Sequence, residues 1–225
     1  MRTCALIPAF NEAPYIAEVI AGARQHVDKV VVIDDGSADG TAEVARAAGA
    51  ICLASQTNCG KGSALRIGLS YACAENFTHA ITMDGDGQHL PEDIPVMLRV
   101  AQETGADLVI GARSFERARM PRARYYSNTV GSRLTSALVG REIRDSQCGF
   151  RLFRLEKLCA TELRSRRYEF EMEVLIKMAR SGCTIAHAPI RMVYDSNDQA
   201  RSKMKPVRDT VRICLWSMAF RFMGA

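Results

Sequence analysis

The chain has 225 residues, enough for one large domain or two small ones and for burial of roughly two-thirds of the unfolded surface. It is 48% hydrophobic and 24% charged, a balance that excludes disordered, collagen-like and solenoid chains. Thirty basic residues against 25 acidic ones leave a formal charge of +5, too mild to argue for a nucleic-acid partner.

Chain order shows alternating strands and helices. Short apolar runs lie at Cys4–Pro8, Val30–Ile33, Ile51–Ala54, Ala80–Met83 and Leu108–Ile110, with helical patterns between them at about Tyr15–Gln25, Thr41–Ala48, Ser63–Ala74 and Glu92–Glu103. In the first helix Ile16, Val19, Ile20 and Ala23 recur on one face. Gly49 suits a C-cap, and Pro91 suits a first helical turn. The alternation predicts an α/β fold: a Rossmann-like, mostly parallel sheet flanked by helices, its strands' carboxyl ends opening on one edge where ligands bind.

The second half is less regular. Arg113, Arg117, Arg119, Arg122 and Arg124 surround Pro121 in a stretch read as a loop. A helix is expected at about Asn128–Val139, a strand at Phe150–Phe153, a helix at about Glu171–Arg180 ended by Gly182, and a strand at Ile185–Val193. Asp195–Lys205 reads as a polar loop, and a last helix runs from Pro206 to about Phe222. No run of 18 apolar residues is present, so no spanning helix is expected. The first 20 residues carry Arg2 alone as a base and are broken by Pro8, Asn11 and Glu12, so no signal peptide is expected either. The eight cysteines contain no C-x-x-C pair and mostly sit in apolar segments. They read as reduced core residues rather than as a zinc knuckle or disulfide framework.

The densest chemistry is Met83-Asp84-Gly85-Asp86-Gly87-Gln88-His89, directly after a buried strand. Asp84 and Asp86, two residues apart, point the same way and repel each other unless a cation lies beside them. With Gln88 they form an all-oxygen donor set suited to Mg²⁺ or Mn²⁺ shared with a diphosphate. Gly85 lets backbone approach a bulky ligand. His89 reads as a solvated loop histidine. Two further strand ends, Pro8-Ala9-Phe10-Asn11-Glu12 and Asp34-Asp35-Gly36-Ser37, add polar groups to the same edge and complete a nucleotide pocket. Asn58-Cys59-Gly60-Lys61-Gly62 fails as a phosphate loop, because Ser55 stands where the first glycine belongs and Gly62 follows the lysine. Lys61 at a helix start still suits a phosphate.

These segments, together with Gly111-Ala112-Arg113, Gly149-Phe150-Arg151, Phe170-Glu171-Met172-Glu173 and Ser202-Lys203, resemble the family 2 glycosyltransferases of the GT-A fold. The motifs occur in the family's order over nearly the whole chain and most resemble its dolichyl- or polyprenyl-phosphate mannosyltransferase branch and small bacterial relatives. The resemblance implies a single catalytic domain over 1–205, whose 1–111 half takes the nucleotide sugar and whose 112–205 half takes the acceptor, with an amphipathic helix over 206–225. It implies inverting transfer from a GDP- or UDP-sugar with a divalent cation. Asp86 would hold the metal with Asp84 and Gln88 close by. Pro8 to Glu12, Asp34 to Gly36, Lys61 and Gly85 would face the donor. Arg113, Arg124, Glu173, Arg201, Ser202 and Lys203 would face phosphate or the acceptor. The family's polyprenyl branch usually has Gly-Glu-Ser-Lys where this chain has Ala200-Arg201-Ser202-Lys203.

The late Glu-Asp pair and Gln-x-x-Arg-Trp stretch shared by family members that glycosylate hydroxyls are absent. A sugar hydroxyl needs a carboxylate base to attack, whereas a phosphate monoester is largely a dianion at neutral pH and needs cations to steer it. The arginines from Arg113 to Arg124 suit that need, so the expected acceptor is a polyprenyl phosphate, with a hydroxyl acceptor such as a glycolipid as the alternative. A nucleotidyltransferase lacks its glycine-rich loop here, and a binding module has no use for both acids. In the last helix Val207, Val211, Cys214, Leu215, Met218 and Phe222 make one stripe and Ile213, Trp216 and Phe220 another. The second stripe is expected to meet a membrane surface or another subunit, placing the protein peripherally on the cytoplasmic face of a membrane.

Overall fold

The computed structural model describes residues 1–113, 122–165, 167 and 169–193, with the backbone alone at 122–125 and 127. Seven strands form one sheet in the order β3-β2-β1-β4-β6-β5-β7. They are β1 Thr3–Ala9, β2 Lys29–Asp34, β3 Ile51–Ala54, β4 His79–Thr82, β5 Leu108–Arg113, β6 Arg151–Arg154 and β7 Ile185–Ile190. The helices are α1 Ile16–Ala23, α2 Thr41–Ala47, α3 Lys61–Ala74, α4 Ile94–Thr104 (after a 3-10 turn at Pro91–Asp93), α5 Arg122–Val139, α6 Leu155–Cys159 and α7 Phe170–Arg180.

Strand runs such as Leu6-Ile7 in β1 and Val31-Val32-Ile33 in β2 are fully buried because helices cover both faces of a parallel sheet. α1 turns Ile16, Val19, Ile20 and Ala23 inward, the face its periodicity predicts. α3 packs tightly on β1 and β2, since a methyl group at Gly68 would lie 2.7 Å from Ile33 Cδ1.

The mostly parallel sheet of the sequence reading is present, with one change. β6 pairs antiparallel with both β4 and β5, so it separates two strands that the βα alternation placed side by side. The six other strands still run in one direction, and the carboxyl ends of β1, β2, β4 and β5 share an edge. The expected loop ends early, because α5 begins at Arg122, and β7 stops at Ile190, beyond which His89 and Met192 make an isolated bridge.

The cysteine reading needs correction. Cys73 and Cys159, 86 residues apart, form a disulfide across a Cα–Cα distance of 6.4 Å. The contact between α3 and α6 brings them together, and sequence spacing carries no trace of it. Cys4, Cys148 and Cys183 are free and buried as expected, whereas Cys59 is exposed. Residues Arg117, Arg119, Arg201, Ser202 and Lys203, the 195–205 loop and the helix from Pro206 lie outside the described residues.

Candidate active site at the carboxyl edge of the sheet

A cavity of about 420 Å³ opens at the strand ends, a size typical of small-molecule sites. Pro8, Ala9, Phe10 and Glu12 line it from β1, Asp35 from β2, Asp84 to Asp86 with Gln88 and His89 from β4, and Arg113 from β5. α3 adds Lys61, and the second half of the chain adds Asn128, Gln147, Gly149, Arg167, Glu171 and Met192.

The wall from β1 and β2 is built by turns that tie to each other. Asn11, at φ 54°, donates its N–H to Ser37 Oγ at 2.8 Å and accepts from the Ala38 N–H at 2.9 Å through Oδ1. Asparagine tolerates this left-handed conformation better than most residues. Asp34 is turned away from the cavity and accepts from the Ser37 N–H and hydroxyl. Asp35 lines the cavity while accepting from the N–H groups of Cys59 at 2.8 Å and Gly60 at 2.7 Å, which fixes the start of α3. Gly36, at φ 78°, permits that approach, since a Cβ would lie 2.8 Å from the Thr57 carbonyl carbon. Asn11, Asp34 and Gly36 thus shape the wall from behind.

The floor is a charged cluster. Lys61 Nζ lies 2.7 Å from Asp84 Oδ1 and 2.7 Å from Glu171 Oε1. Burial works against the Lys61 ammonium, but the two carboxylates override it and hold the amine protonated above its ordinary range. Burial likewise pushes Asp84 up, and the Lys61 charge reverses this, holding its carboxyl at about 2. Asp86 has no such partner at hand. Burial, then the charge of Asp84, with Glu12 adding, push its carboxyl up to about 7 against the opposing Gln88 N–H, 3.0 Å from Oδ1. Sequence position pairs Asp84 with Asp86, and the structure gives them opposite surroundings.

His89 is a correction. It is 3% exposed, its ring centroid lies 5.3 Å from that of Phe150, and its Nδ1 accepts the Asp84 N–H at 3.1 Å. Burial lowers its pKa, and the accepted N–H makes the ring an orienter of the acidic loop rather than a solvated histidine.

Arg113 reaches the cavity while held by Asp145, with Nε 2.5 Å from Oδ2 and Nη2 2.8 Å from Oδ1. Arg151, 1% exposed, donates to the carbonyls of Ser146, Cys148 and Glu171 and so braces the 145–149 loop against α7. The α7 acids divide differently from the sequence reading. Glu171 faces the cavity, whereas Glu173 is fully buried and accepts from the N–H groups of Arg164 and Ser165 and from Lys177. Arg124 lies in the first turn of α5. Residues missed from sequence are Glu171, Arg167, Asn128, Gln147 and the Asp145 support. The available signals were Gly149, where bulk is refused, and an arginine inside the apolar strand run at 151.

Comparison with known proteins agrees with this geometry. The family model described as glycosyl transferase family 2 matches residues 4–159. The undecaprenyl-phosphate mannosyltransferase of Micrococcus luteus is 30% identical over 238 residues, covering 100% of this chain and 97% of that protein. A UDP-N-acetylglucosamine–dolichyl-phosphate N-acetylglucosaminyltransferase of Methanococcus voltae is 30% identical, covering 87% of each chain. Among solved structures, the glucosyl-3-phosphoglycerate synthase of Mycobacterium tuberculosis in complex with Mn²⁺ and UDP-glucose superposes with a TM-score of 0.72 at 21% identity, covering 97% of this chain and 78% of that one. With a matching family model, relatives alike over most of their length and a similar fold, the chain belongs to glycosyl transferase family 2 and is a glycosyltransferase of the GT-A fold.

Proposed function

We propose that the protein transfers a sugar, with inversion, from a nucleoside diphosphate sugar to a polyprenyl phosphate, aided by Mg²⁺ or Mn²⁺. The observation that carries this reading is the make-up of the cavity wall: the Asp84 and Asp86 carboxylates after β4 and the Arg113 and Arg167 guanidiniums line one and the same cavity. The names of the Micrococcus and Methanococcus relatives support a lipid-phosphate acceptor.

Five carboxylates and three cationic side chains line the cavity, an excess of negative charge that suits a bound cation. Asp86 and Gln88 offer oxygen donors of the kind hard divalent ions take, while Asp84 beside them is engaged by Lys61. Among the described residues no three acidic, histidine or cysteine side chains converge on one point, so the donor's diphosphate would supply the remaining ligands. The Mn²⁺ and UDP-glucose held by the similarly folded synthase support the same reading. The cation would neutralise charge as the diphosphate leaves.

This chain's own groups would do the rest. Pro8 to Glu12 and Asp35 would wall the nucleoside, with Asp34 and Gly36 holding that wall. Gly85 would border the diphosphate, while Lys61 stays engaged by Asp84 and Glu171. Arg113 and Arg167 would draw the acceptor phosphate in, with Arg124, Arg201, Ser202 and Lys203 as further candidates. An acceptor phosphate oxygen bonds to the sugar's anomeric carbon as the bond to the diphosphate oxygen breaks, and the electron pair leaves with the nucleoside diphosphate. A phosphate dianion needs no base. Consistent with that, Asp84 and Glu171 are engaged by Lys61, and Asp35 by two backbone N–H groups.

Melting temperatures with UDP, GDP or no nucleotide, each in Mn²⁺ or EDTA, test the donor site. A ligand at 100 times its dissociation constant stabilises by about 2.7 kcal/mol, a shift of roughly 5–10 °C. The proposal expects one nucleotide to give that shift in Mn²⁺ and lose it in EDTA; no shift with either refutes it. No helix among the described residues is long and apolar enough to cross a membrane, and a peripheral seat on the cytoplasmic face, through the 206–225 segment, would bring the lipid acceptor to the cavity.

A further inference from the structure

Lys61 stands at the first position of α3 with its ammonium between two carboxylates. Gly149 marks how closely that cluster is packed: a Cβ there would lie 2.9 Å from Lys61 Nζ, 3.2 Å from Glu171 Oε1 and 3.3 Å from Asp84 Oδ1. All three atoms belong to the ion cluster, so a methyl group at position 149 would press on every member at once. The main chain around Gly149 is held in turn, since Thr82 Oγ1 donates to its carbonyl at 2.7 Å and Arg151 braces the carbonyls of Ser146 and Cys148. Three separate elements, the loop after β4, α7 and the loop before β6, therefore converge on the Lys61 ammonium of α3.

We infer that Lys61 is a positioning residue that, with Glu171 as second anchor and Gly149 as the space for its ammonium, withholds Asp84 from the cation and leaves Asp86 as the carboxylate that carries it. The inference rests on the metal reading above. An ion pair at 2.7 Å on both sides leaves the amine with little reach toward a phosphate, and one carboxylate of the adjacent pair is neutralised before any cation arrives. A cation held by one carboxylate keeps more open positions for diphosphate oxygens than one chelated by two. It also leaves with the product more readily.

The test is a titration of Mn²⁺, followed by the electron paramagnetic resonance signal of the free ion, with UDP or GDP present. It compares wild type, the charge-balanced K61M/E171Q variant, G149A and K61R, with circular dichroism to check folding. Freeing Asp84 should tighten Mn²⁺ binding by about tenfold, the scale on which outer partners tune a metal site. G149A should move the same way by less, and K61R should stay near wild type. A lysine that bound phosphate, or one that merely supported the fold, would give unchanged or weaker Mn²⁺ binding in K61M/E171Q and G149A, and that result overturns the inference while the metal reading stands. Should K61M/E171Q not fold, G149A decides alone, with unchanged or weaker binding counting against. No Mn²⁺ uptake by wild type with either nucleotide overturns the metal reading and this inference together.

Discussion

Arg113 and Asp145 form a two-pronged ion pair, with Nε 2.5 Å from Oδ2 and Nη2 2.8 Å from Oδ1, and the Asp145 side chain is fully buried. The pair joins the end of β5 to the loop before β6, so an arginine at the cavity is held by an acid behind it. Removing Arg113 strands a buried charge, which costs about 3–5 kcal/mol. R113A should therefore lose stability as well as activity. The R113A/D145N double variant should regain most of the stability and none of the activity, as read by urea unfolding and initial rates. Equal stability of the two variants would count against the pairing.

Asp86 is the proposed cation ligand, and beside it Asp84 is already engaged by Lys61. D86N should lose Mn²⁺ binding and at least about 100-fold in kcat/KM, in the range seen when one group stabilising developing charge is removed. Its melting temperature without metal should not fall, because the substitution relieves the repulsion between adjacent carboxylates. Calorimetric Mn²⁺ titration checks the first outcome and a thermal melt in EDTA the second.

Glu173 gives the chain an acid-sensitive joint. Burial raises its proton affinity, but Lys177 and the N–H groups of Ser165 and Arg164 outweigh that and hold the carboxyl below its ordinary 4.5. A lowered folded pKa means stability that is present above pH 4.5 and lost as pH falls toward the folded value. E173Q should cost about 1.5–3 kcal/mol at pH 7, the worth of a hydrogen bond to a charged group. Its stability should also fall less steeply than that of wild type below pH 4.5. Because the side chain does not line the cavity, kcat/KM should change by less than about threefold, under about 1 kcal/mol in transition-state free energy. A large rate loss in a folded E173Q would return Glu173 to the acceptor site.

The Cys73–Cys159 bond closes a long loop between α3 and α6. Reduction, or the C73S/C159S variant, should lower stability by about 2–4 kcal/mol. Alkylation without reductant should leave both cysteines unmodified by mass, while Cys59, which is exposed, takes the label.

Much of the first half of the chain was legible in sequence because buried parallel strands are unbroken apolar runs, and acids directly after such runs at Asp35 and Asp84 must lie at their carboxyl edge. Pairing order was not legible. Phe150–Phe153 reads as a strand from its composition, but composition does not say that β6 enters antiparallel between β4 and β5. Which acid of α7 meets the cavity was not legible for the same kind of reason. Glu169 and Glu173 share a helical face, and only the placement of α3 shows that Glu171 is the acid that meets Lys61. His89 sits among polar residues in sequence, and it is Phe150, 61 positions later in the chain, that packs against it. Asp84 and Asp86 look equivalent in sequence, and contacts from other elements make them different.

The most direct measurement of the central claim is transfer itself. Labelled GDP-mannose, UDP-glucose and UDP-N-acetylglucosamine would each be incubated with the protein, Mn²⁺ and either undecaprenyl phosphate or the dephosphorylated alcohol. The account predicts label in an organic-extractable product that mild acid hydrolyses, formed from one donor with the phosphate alone and abolished by EDTA. Label passing to the alcohol, or transfer that persists without any divalent cation, would contradict it.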